Sequence, residues 1–188
     1  PQTVIHNYME TLGLVVAYVD AQEILLKALH GIRSATEKEH IATTLLRQLF
    51  FTQLGYDPQL HTLVLGTNYS DTLYGDTAGV PLPETSAGVP LRIAEPIRAL
   101  FKDEVRRLAK ALNLPDTVAE RQPFPASGLA LRVFGEVTEE KLEILRQADA
   151  FFSEEIRAGG HERRLWQYFA LLCENPDMVG GYTVILRA

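Results

Sequence analysis

The stretch Arg121-Gln-Pro-Phe-Pro-Ala-Ser-Gly-Leu-Ala-Leu-Arg-Val-Phe-Gly-Glu136 divides the chain into two parts and does most to predict its fold. Two prolines and two glycines surround a short apolar run, and residues of these two types fix the backbone geometry. Arg121 and Arg132 add permanent positive charges whose planar shape suits a phosphate or a carboxylate. Taken alone, the stretch predicts either a proline-stiffened loop that feeds a strand at 129–134 or a hinge that also binds an anion.

The residues after this stretch predict a small α+β unit. Thr138 is placed to cap a long helix that carries Glu139 and Glu140 in its first turn, where acidic side chains are favourable for the helix dipole. The glycine pair at 159–160 ends that helix. Apolar runs at 165–172 and 182–187 predict two more strands, which gives the order β-α-β-β.

The residues before the stretch predict an α/β domain with a parallel sheet. The apolar runs 14–20 and 61–66 have the continuous character of strands that are buried on both faces. Helices are predicted over 4–12, over 21–30 with a stop at Gly31, and from a capping box that begins at Thr36 to about Leu54. A weakly patterned loop at 75–94 precedes a last helix over 96–112, and 121–128 is the hinge into the second unit.

The overall composition excludes several classes of function. Hydrophobic residues make up 46% and charged residues 22% of the 188 residues, which is typical of a folded globular chain. The net charge of -6 argues against a duplex nucleic acid partner. No apolar run approaches the ~18 residues of a membrane span. Cys173 is the single cysteine, which indicates a reducing, cytoplasmic setting, and the five histidines lack metal-ligand spacing.

The first candidate site is the segment Gly66-Thr-Asn-Tyr-Ser-Asp71, which follows the predicted strand 61–66. Ligands of doubly wound sheets bind beyond the carboxyl ends of the strands. Gly66 allows a close approach to the backbone, and the carboxylate of Asp71 suits Mg²⁺ or a hydroxyl group. The alternative is an ordinary strand-to-helix turn in which Asp71 caps the helix.

The second candidate site lies in Glu95-Pro-Ile-Arg-Ala-Leu-Phe-Lys-Asp-Glu-Val105. If the helix begins near Phe101, Lys102 stands at the positive end of the helix dipole, which is unfavourable by roughly 0.3–1 kcal/mol unless an anion is bound there. If the helix begins at Pro96 instead, Lys102 is an ordinary solvated lysine. The residues alone leave both alternatives open.

These three segments together resemble the GMP synthetase family, whose members aminate XMP to GMP with ATP. The family pattern Gly-Thr-x-Tyr-Pro-Asp is matched at Gly66, Thr67, Tyr69 and Asp71, with Ser70 in place of the proline. The segment 95–105 matches closely, and so does 121–136, apart from Ala-Ser at 126–127 where the family has Gly-Pro. The resemblance is loose over 4–72 and close over 92–188.

The resemblance implies an adenine nucleotide alpha hydrolase-like (ATP pyrophosphatase) domain at 1–120, incomplete at its N-terminus. It implies a small α+β dimerisation domain at 121–188. The implied enzyme is a C–N bond-forming ligase of purine biosynthesis with ATP and Mg²⁺ as cofactors. XMP or a related acceptor is adenylated and then aminated by ammonia, and a glutamine amidotransferase domain or subunit supplies the ammonia. A homodimer is expected, without nucleic acid or membrane partners.

The resemblance also implies roles for individual residues. Lys102 and Asp71 are the expected catalytic residues, with Asp71 as the metal ligand. Gly66 and Thr67 are expected to bind the nucleotide with them. Arg121 and Arg132 are expected to bind the XMP phosphate.

Three departures from the family pattern keep alternatives open. The chain contains no Ser-Gly-Gly-x-Asp-Ser loop to cradle pyrophosphate, its lid region near 76–92 lacks the family's Lys and paired His, and 126–127 differ. The chain is therefore an authentic GMP synthetase subunit whose nucleotide loop lies upstream, a paralogue that acts on another acceptor, or a non-catalytic dimerising relative.

Overall fold

The computed structural model describes residues 2–54, 62–73, 92–121, 128–175 and 177–188. The predicted loop up to residue 91 and most of the hinge, at 122–127, lie outside these ranges. The α-helices are α1 Gln2–Thr11, α2 Gln22–Ala28, α3 Ala35–Leu54, α4 Tyr69–Leu73, α5 Lys102–Ala111, α6 Asp116–Ala119 and α7 Glu139–Ala158. The strands are β1 Thr62–Val64, β2 Arg92–Ala94, β3 Phe169–Glu174 and β4 Tyr182–Arg187, and short 3-10 helices span Gly128–Arg132 and Glu162–Arg164.

The chain forms two compact units that interleave along the sequence. Unit 1 contains residues 1–17 and 48–121, and unit 2 contains residues 18–47 and 122–188. Helix α3 belongs to unit 2 over its first part and to unit 1 from residue 48 onward. The assignment of 1–120 and 121–188 as two functional domains stays a prediction. None of the helices in the described ranges combines the length and apolar character that a membrane crossing demands.

Unit 1 contains a parallel pair of strands. β1 pairs with β2 in the register Thr62↔Arg92, Leu63↔Ile93 and Val64↔Ala94. The ladder extends one residue further, since Leu65 N–H donates to the carbonyl of Ala94 at 2.9 Å. Leu63 is buried while its neighbours on β1 are exposed. The predicted α/β class with a parallel sheet is thus confirmed at this coarse level.

The predicted buried strand at 14–20 is wrong. These residues form no helix or strand, and Val15 is 99% exposed. A parallel strand needs neighbours for its N–H and C=O groups, and no strand in the described part of the chain pairs with this run. A strand that the sequence did not predict, β2, lies instead at the end of the predicted loop 75–94.

The start of α3 differs from prediction, and the start of α5 agrees with one of its two alternatives. α3 begins at Ala35, because Ser34 caps it: the Ser34 hydroxyl accepts a hydrogen bond from Glu37 N–H at 3.5 Å, two residues before the predicted Thr36 box. α5 begins at Lys102 and not at Pro96, since 96–99 is a turn and Phe101 has extended backbone angles. The Glu104 carboxylate accepts from Phe101 N–H at 2.8 Å and satisfies a donor at this start.

Unit 2 packs α7 against an antiparallel pair, in which Phe169 of β3 faces Arg187 of β4. The cap by Thr138 is confirmed, since its hydroxyl accepts from Lys141 N–H at 3.3 Å. The predicted strand at 129–134 is wrong: Gly128–Arg132 is a 3-10 helix that starts at a positive φ of 63°. What remains of strand pairing in this run is a single bridge from Val133 to Leu172 of β3.

The core of unit 2 draws residues from both of its sequence segments. The buried cluster has Leu29 from the first segment, next to Val133, Leu145 and Leu172 from the second. Leu25, Leu26 and Ile41 pack against the same cluster. The segment 18–47 is therefore part of this core.

Candidate functional site

The loop after β1 is held by a reciprocal pair of hydrogen bonds. The side-chain oxygen of Asn68 accepts from Ser70 N–H at 2.9 Å and from Asp71 N–H at 3.4 Å. Asp71 Oδ2 in turn accepts from Asn68 N–H at 2.9 Å. Asn68 is thus the N-cap of α4, and Asp71 has the capping role that was the alternative interpretation of its sequence position. Sequence reasoning missed Asn68, although the Asn-x-x-Asp spacing was available.

The geometry of Gly66 and Thr67 agrees with a site at the carboxyl end of β1. No atom of the described residues lies within 4 Å of the position that a Cβ atom on Gly66 would occupy. The described residues therefore leave this face of the loop uncovered. Thr67 is only 5% exposed. An incoming group therefore meets the exposed Gly66 more readily than any part of Thr67. Their binding roles stay predictions.

The loop after β2 contributes a carboxylate beside Thr67. Glu95 follows β2 directly, and its carboxylate accepts a hydrogen bond from the Arg98 guanidinium. The polar environment of the carboxylate, from the Thr67 hydroxyl first and then from Arg98, lowers the pKa of Glu95 below its usual value. Glu95 was not among the residues predicted to be functional. Its position at the end of a strand was hidden, because β2 was not predicted.

Two further contacts tie these loops together. Tyr69 N–H donates to the carbonyl of Leu100 at 2.9 Å. The rings of Tyr69 and Phe101 meet edge to face, with their centroids 4.8 Å apart. The start of α4 is thus fixed next to the start of α5, where Lys102 is the first helical residue.

Lys102 has the position described in the first of its two alternatives. α5 begins at this residue, whose side chain is exposed, and Asp103 and Glu104 follow in the first turn. The two acidic residues favour the dipole, whereas the lysine opposes it by about 0.3–1 kcal/mol. The helix start at 102 is confirmed, and the phosphate-binding role stays a prediction.

The two arginines have different surroundings. Arg121 is exposed at the end of unit 1, where its carbonyl accepts from Arg106 Nη2 at 3.2 Å. Arg132 belongs to unit 2 and is only 2% exposed. Its Nη1 donates to Asp149 Oδ1 at 2.9 Å, and its guanidinium lies 4.8 Å from the centre of the Phe169 ring. Burial lowers the pKa of Arg132, and the Asp149 charge opposes that effect.

Among the described residues, no group of three or more His, Cys, Asp and Glu side chains is arranged to hold a metal ion. A nucleotide-bound Mg²⁺ needs fewer protein ligands, since it keeps several waters and binds through one or two carboxylates plus the phosphates. Asp71 fits that requirement: its Oδ2 is used by the cap, and a carboxylate has a second oxygen. The role of Asp71 as a metal ligand stays a prediction.

Comparison with known proteins relates the chain to a segment of GMP synthases. It is 39% identical over 202 aligned residues to GMP synthase (glutamine-hydrolyzing) of Caldicellulosiruptor saccharolyticus, and covers 40% of that protein with its full length. It is 42% identical over 175 residues to a protein of Methanocaldococcus jannaschii that is named as one of the subunits of such a synthase, with 89% of this chain and 54% of the relative aligned. GMP synthase (glutamine-hydrolyzing) of Geobacillus kaustophilus is 37% identical over 204 residues.

The chain thus spans about half or less of the length of these relatives. It matches no protein-family model. The relatives nevertheless support, in outline, the resemblance that the sequence motifs indicated.

Proposed function

We propose that this chain acts in the amination of XMP to GMP, as part of an ATP-dependent GMP synthase. The observation that carries the proposal is the identity of about 40% with GMP synthases over most or all of the chain. The geometry supports it, because Gly66, Thr67 and Asp71 follow one strand of a parallel pair, and that is where ligands of such sheets bind.

ATP–Mg²⁺ is bound by three residues with different roles, namely Gly66, Lys102 and Asp71. The open backbone at Gly66 admits the nucleotide, and Lys102 places its charge and the first N–H groups of α5 near the phosphates. Asp71 holds Mg²⁺ through the carboxylate oxygen that the cap does not use. Mg²⁺ supplies charge neutralisation of the phosphates as AMP is transferred to the acceptor.

We assign the XMP phosphate to Arg121 alone. Arg121 is exposed and offers a guanidinium with phosphate-binding geometry. Arg132 is enclosed in unit 2, and its charge is already matched by Asp149. A structural role for Arg132 therefore explains its surroundings better than contact with XMP.

The names of two relatives support a partner subunit for this chain. The relatives from Methanocaldococcus jannaschii and Methanococcus vannielii are each named as one of the subunits of a glutamine-hydrolyzing GMP synthase, which implies a separate subunit that hydrolyses glutamine. We propose the same source of ammonia for this chain. A homodimer is proposed through unit 2, where Val184, Ile185 and Leu186 of β4 are 39–56% exposed.

The test is release of AMP and pyrophosphate by the purified protein with ATP, Mg²⁺ and ammonium, with and without XMP. XMP-dependent release with formation of GMP is expected. ATP cleavage that needs a different acceptor would favour a paralogue, and no ATP binding would favour a non-catalytic relative.

Lys102 provides the matched control for this assay. Lys102→Ala is expected to lower kcat by about tenfold or more, because one of the charges that neutralise the transferring phosphates is lost. Lys27→Ala removes an exposed lysine that pairs with Glu23 on α2, and is expected to leave the rate unchanged. Equal rates for the two variants would show that Lys102 does not contribute to catalysis.

A further inference from the structure

Helix α5 ends in a turn from which the chain can fold back along the helix. Leu112 closes the helix, and Asn113 follows it with a positive φ of 59°. Asn113 N–H donates to the Lys110 carbonyl at 2.9 Å. Leu114 N–H donates to the Ala109 carbonyl at 3.0 Å. These two bonds form a Schellman motif, in which the left-handed residue is a glycine or, as here, an asparagine.

The residues after this turn return along the side of α5. Helix α6 packs on α5, and its last residue, Ala119, is buried. The Glu120 carboxylate pairs with the Lys110 ammonium, near the end of α5. Arg106 Nη2 donates to the carbonyl of the next residue, Arg121, at 3.2 Å. Since Arg106 precedes Lys110 by one turn on the same face, the returning segment runs toward the start of α5.

This return brings Arg121 to the part of α5 that also carries Lys102. Arg106 follows Lys102 by one turn, which is about 6 Å along the helix axis. Residues four apart are neighbours on a helix surface, so Lys102 and Arg106 lie on one side of α5. Arg121 is distant from Lys102 in sequence, and the bond from Arg106 attaches its main chain to the first half of the helix.

We infer that Arg106 is a positioning residue: its bond to the Arg121 main chain holds Arg121 beside α5, so that the XMP phosphate and the ATP phosphates are bound from one helix. This inference rests on the proposed function, in which Arg121 binds XMP and Lys102 binds ATP. Adenylation requires the acceptor oxygen of XMP about 3–3.5 Å from the α-phosphorus of ATP before the new bond forms and pyrophosphate leaves. A shared support for both ligands fixes that approach.

Arg107 provides a matched comparison on the same helix. It is exposed, and its guanidinium pairs with Asp103 and Glu104 in the first turn of α5. Arg106 and Arg107 carry the same charge at adjacent positions, whereas the bond to the Arg121 carbonyl is made by Arg106. Replacing each arginine by alanine therefore removes equal charge and tests the bond.

Amide hydrogen exchange tests the contact without requiring activity. The N–H groups of Glu120 and Arg121 are bonded within their own segment, so their exchange rates report whether that segment stays folded. Arg106→Ala is expected to speed this exchange by about threefold to tenfold, while Arg107→Ala leaves it unchanged. Unchanged exchange at these amides in Arg106→Ala would overturn the inference. Faster exchange that extends to the amides of unit 2 would also contradict it, since the change would then be a general loss of stability.

Steady-state kinetics test the consequence for XMP in a protein that forms GMP. Arg106→Ala is expected to raise the KM for XMP by about tenfold, with the KM for ATP changed by less than about twofold. Arg106→Lys is expected to recover part of the loss, because a lysine ammonium can also donate to a carbonyl. Arg107→Ala should change both KM values by less than about twofold. A normal KM for XMP in Arg106→Ala, or an equal rise in both KM values, would contradict the positioning role.

A double-mutant cycle separates positioning from direct contact with XMP. If Arg106 acts through Arg121, the double variant Arg106→Ala/Arg121→Ala is expected to have the same KM for XMP as Arg121→Ala alone. Additive losses would show that Arg106 acts on XMP by its own charge, and would overturn the inference. A wild type that forms no GMP would overturn the proposed function instead, and the exchange experiment would still decide whether Arg106 holds Arg121 beside α5.

Discussion

Arg132 lies in a buried ion pair, although its sequence position predicted that it binds a ligand. Its guanidinium is enclosed between Asp149 and the Phe169 ring, and Asp149 also accepts from Ala170 N–H at 2.8 Å. We expect Arg132→Ala to lower the free energy of unfolding by about 3–5 kcal/mol, because it leaves a partly buried carboxylate without its partner. Urea unfolding measures this. A loss below about 1 kcal/mol would show that the pair contributes little.

Lys38 allows a prediction about pH. It is 1% exposed and donates to the Val133 carbonyl at 2.7 Å, and burial, then the charges of Lys141 and Arg33, lower its pKa from 10.5. At pH values between the lowered pKa of Lys38 and 10.5, the unfolded chain binds more protons at this residue than the folded protein does. The contribution of Lys38 to the free energy of unfolding must therefore rise with pH through this range.

The measurement is urea unfolding at several pH values from about 7 to about 10.5. Lys38→Met is expected to remove the part of the pH-dependent rise that Lys38 contributes. The exposed Lys27→Met should retain it. A wild type and a Lys38→Met variant with the same slope would contradict the assignment.

Among the elements, α5 shows which local signals decide a helix start. The sequence left a start at Pro96 and a start near Phe101 both open. In the structure the Glu104 carboxylate accepts from Phe101 N–H, and the helix begins one residue after Phe101. Glu104→Ala is expected to reduce stability by about 1 kcal/mol, or about 2–4 °C in Tm, since this bond is lost. Asp103→Ala removes an acidic residue from the same turn without that bond and should have a smaller effect.

Elements with their own caps could be predicted, and elements that depend on distant partners could not. α7 has Thr138 at one end and Gly159 at the other, and its bounds were predicted closely. The runs 14–20 and 129–134 have strand composition, yet strand formation depends on pairing with a segment that composition does not reveal. The same limit applies to the site: the carboxyl end of β1 was predicted, whereas Glu95 required knowledge of β2.

For the whole molecule, the proposed homodimer is testable at β4. Its exposed apolar side chains suit burial against a second copy. We expect Ile185→Glu to shift the protein from dimer to monomer in sedimentation velocity, with the fold retained by circular dichroism. Leu112→Glu is the control, because it makes the same change at an exposed leucine of unit 1 and should leave the dimer intact. A wild-type protein that sediments as a monomer would contradict the proposed homodimer.

The interleaving of the two units has a consequence for synthesis on the ribosome. Residues 18–47 emerge well before residues 122–188, but the core that Leu25, Leu26 and Leu29 enter needs both segments. At about 5–20 residues per second, the whole of 48–121 is translated before that core can close. For several seconds the leucines of α2 are therefore exposed on the nascent chain, because the residues that cover them have not yet been made. During that interval we expect a nascent-chain chaperone to bind to these leucines.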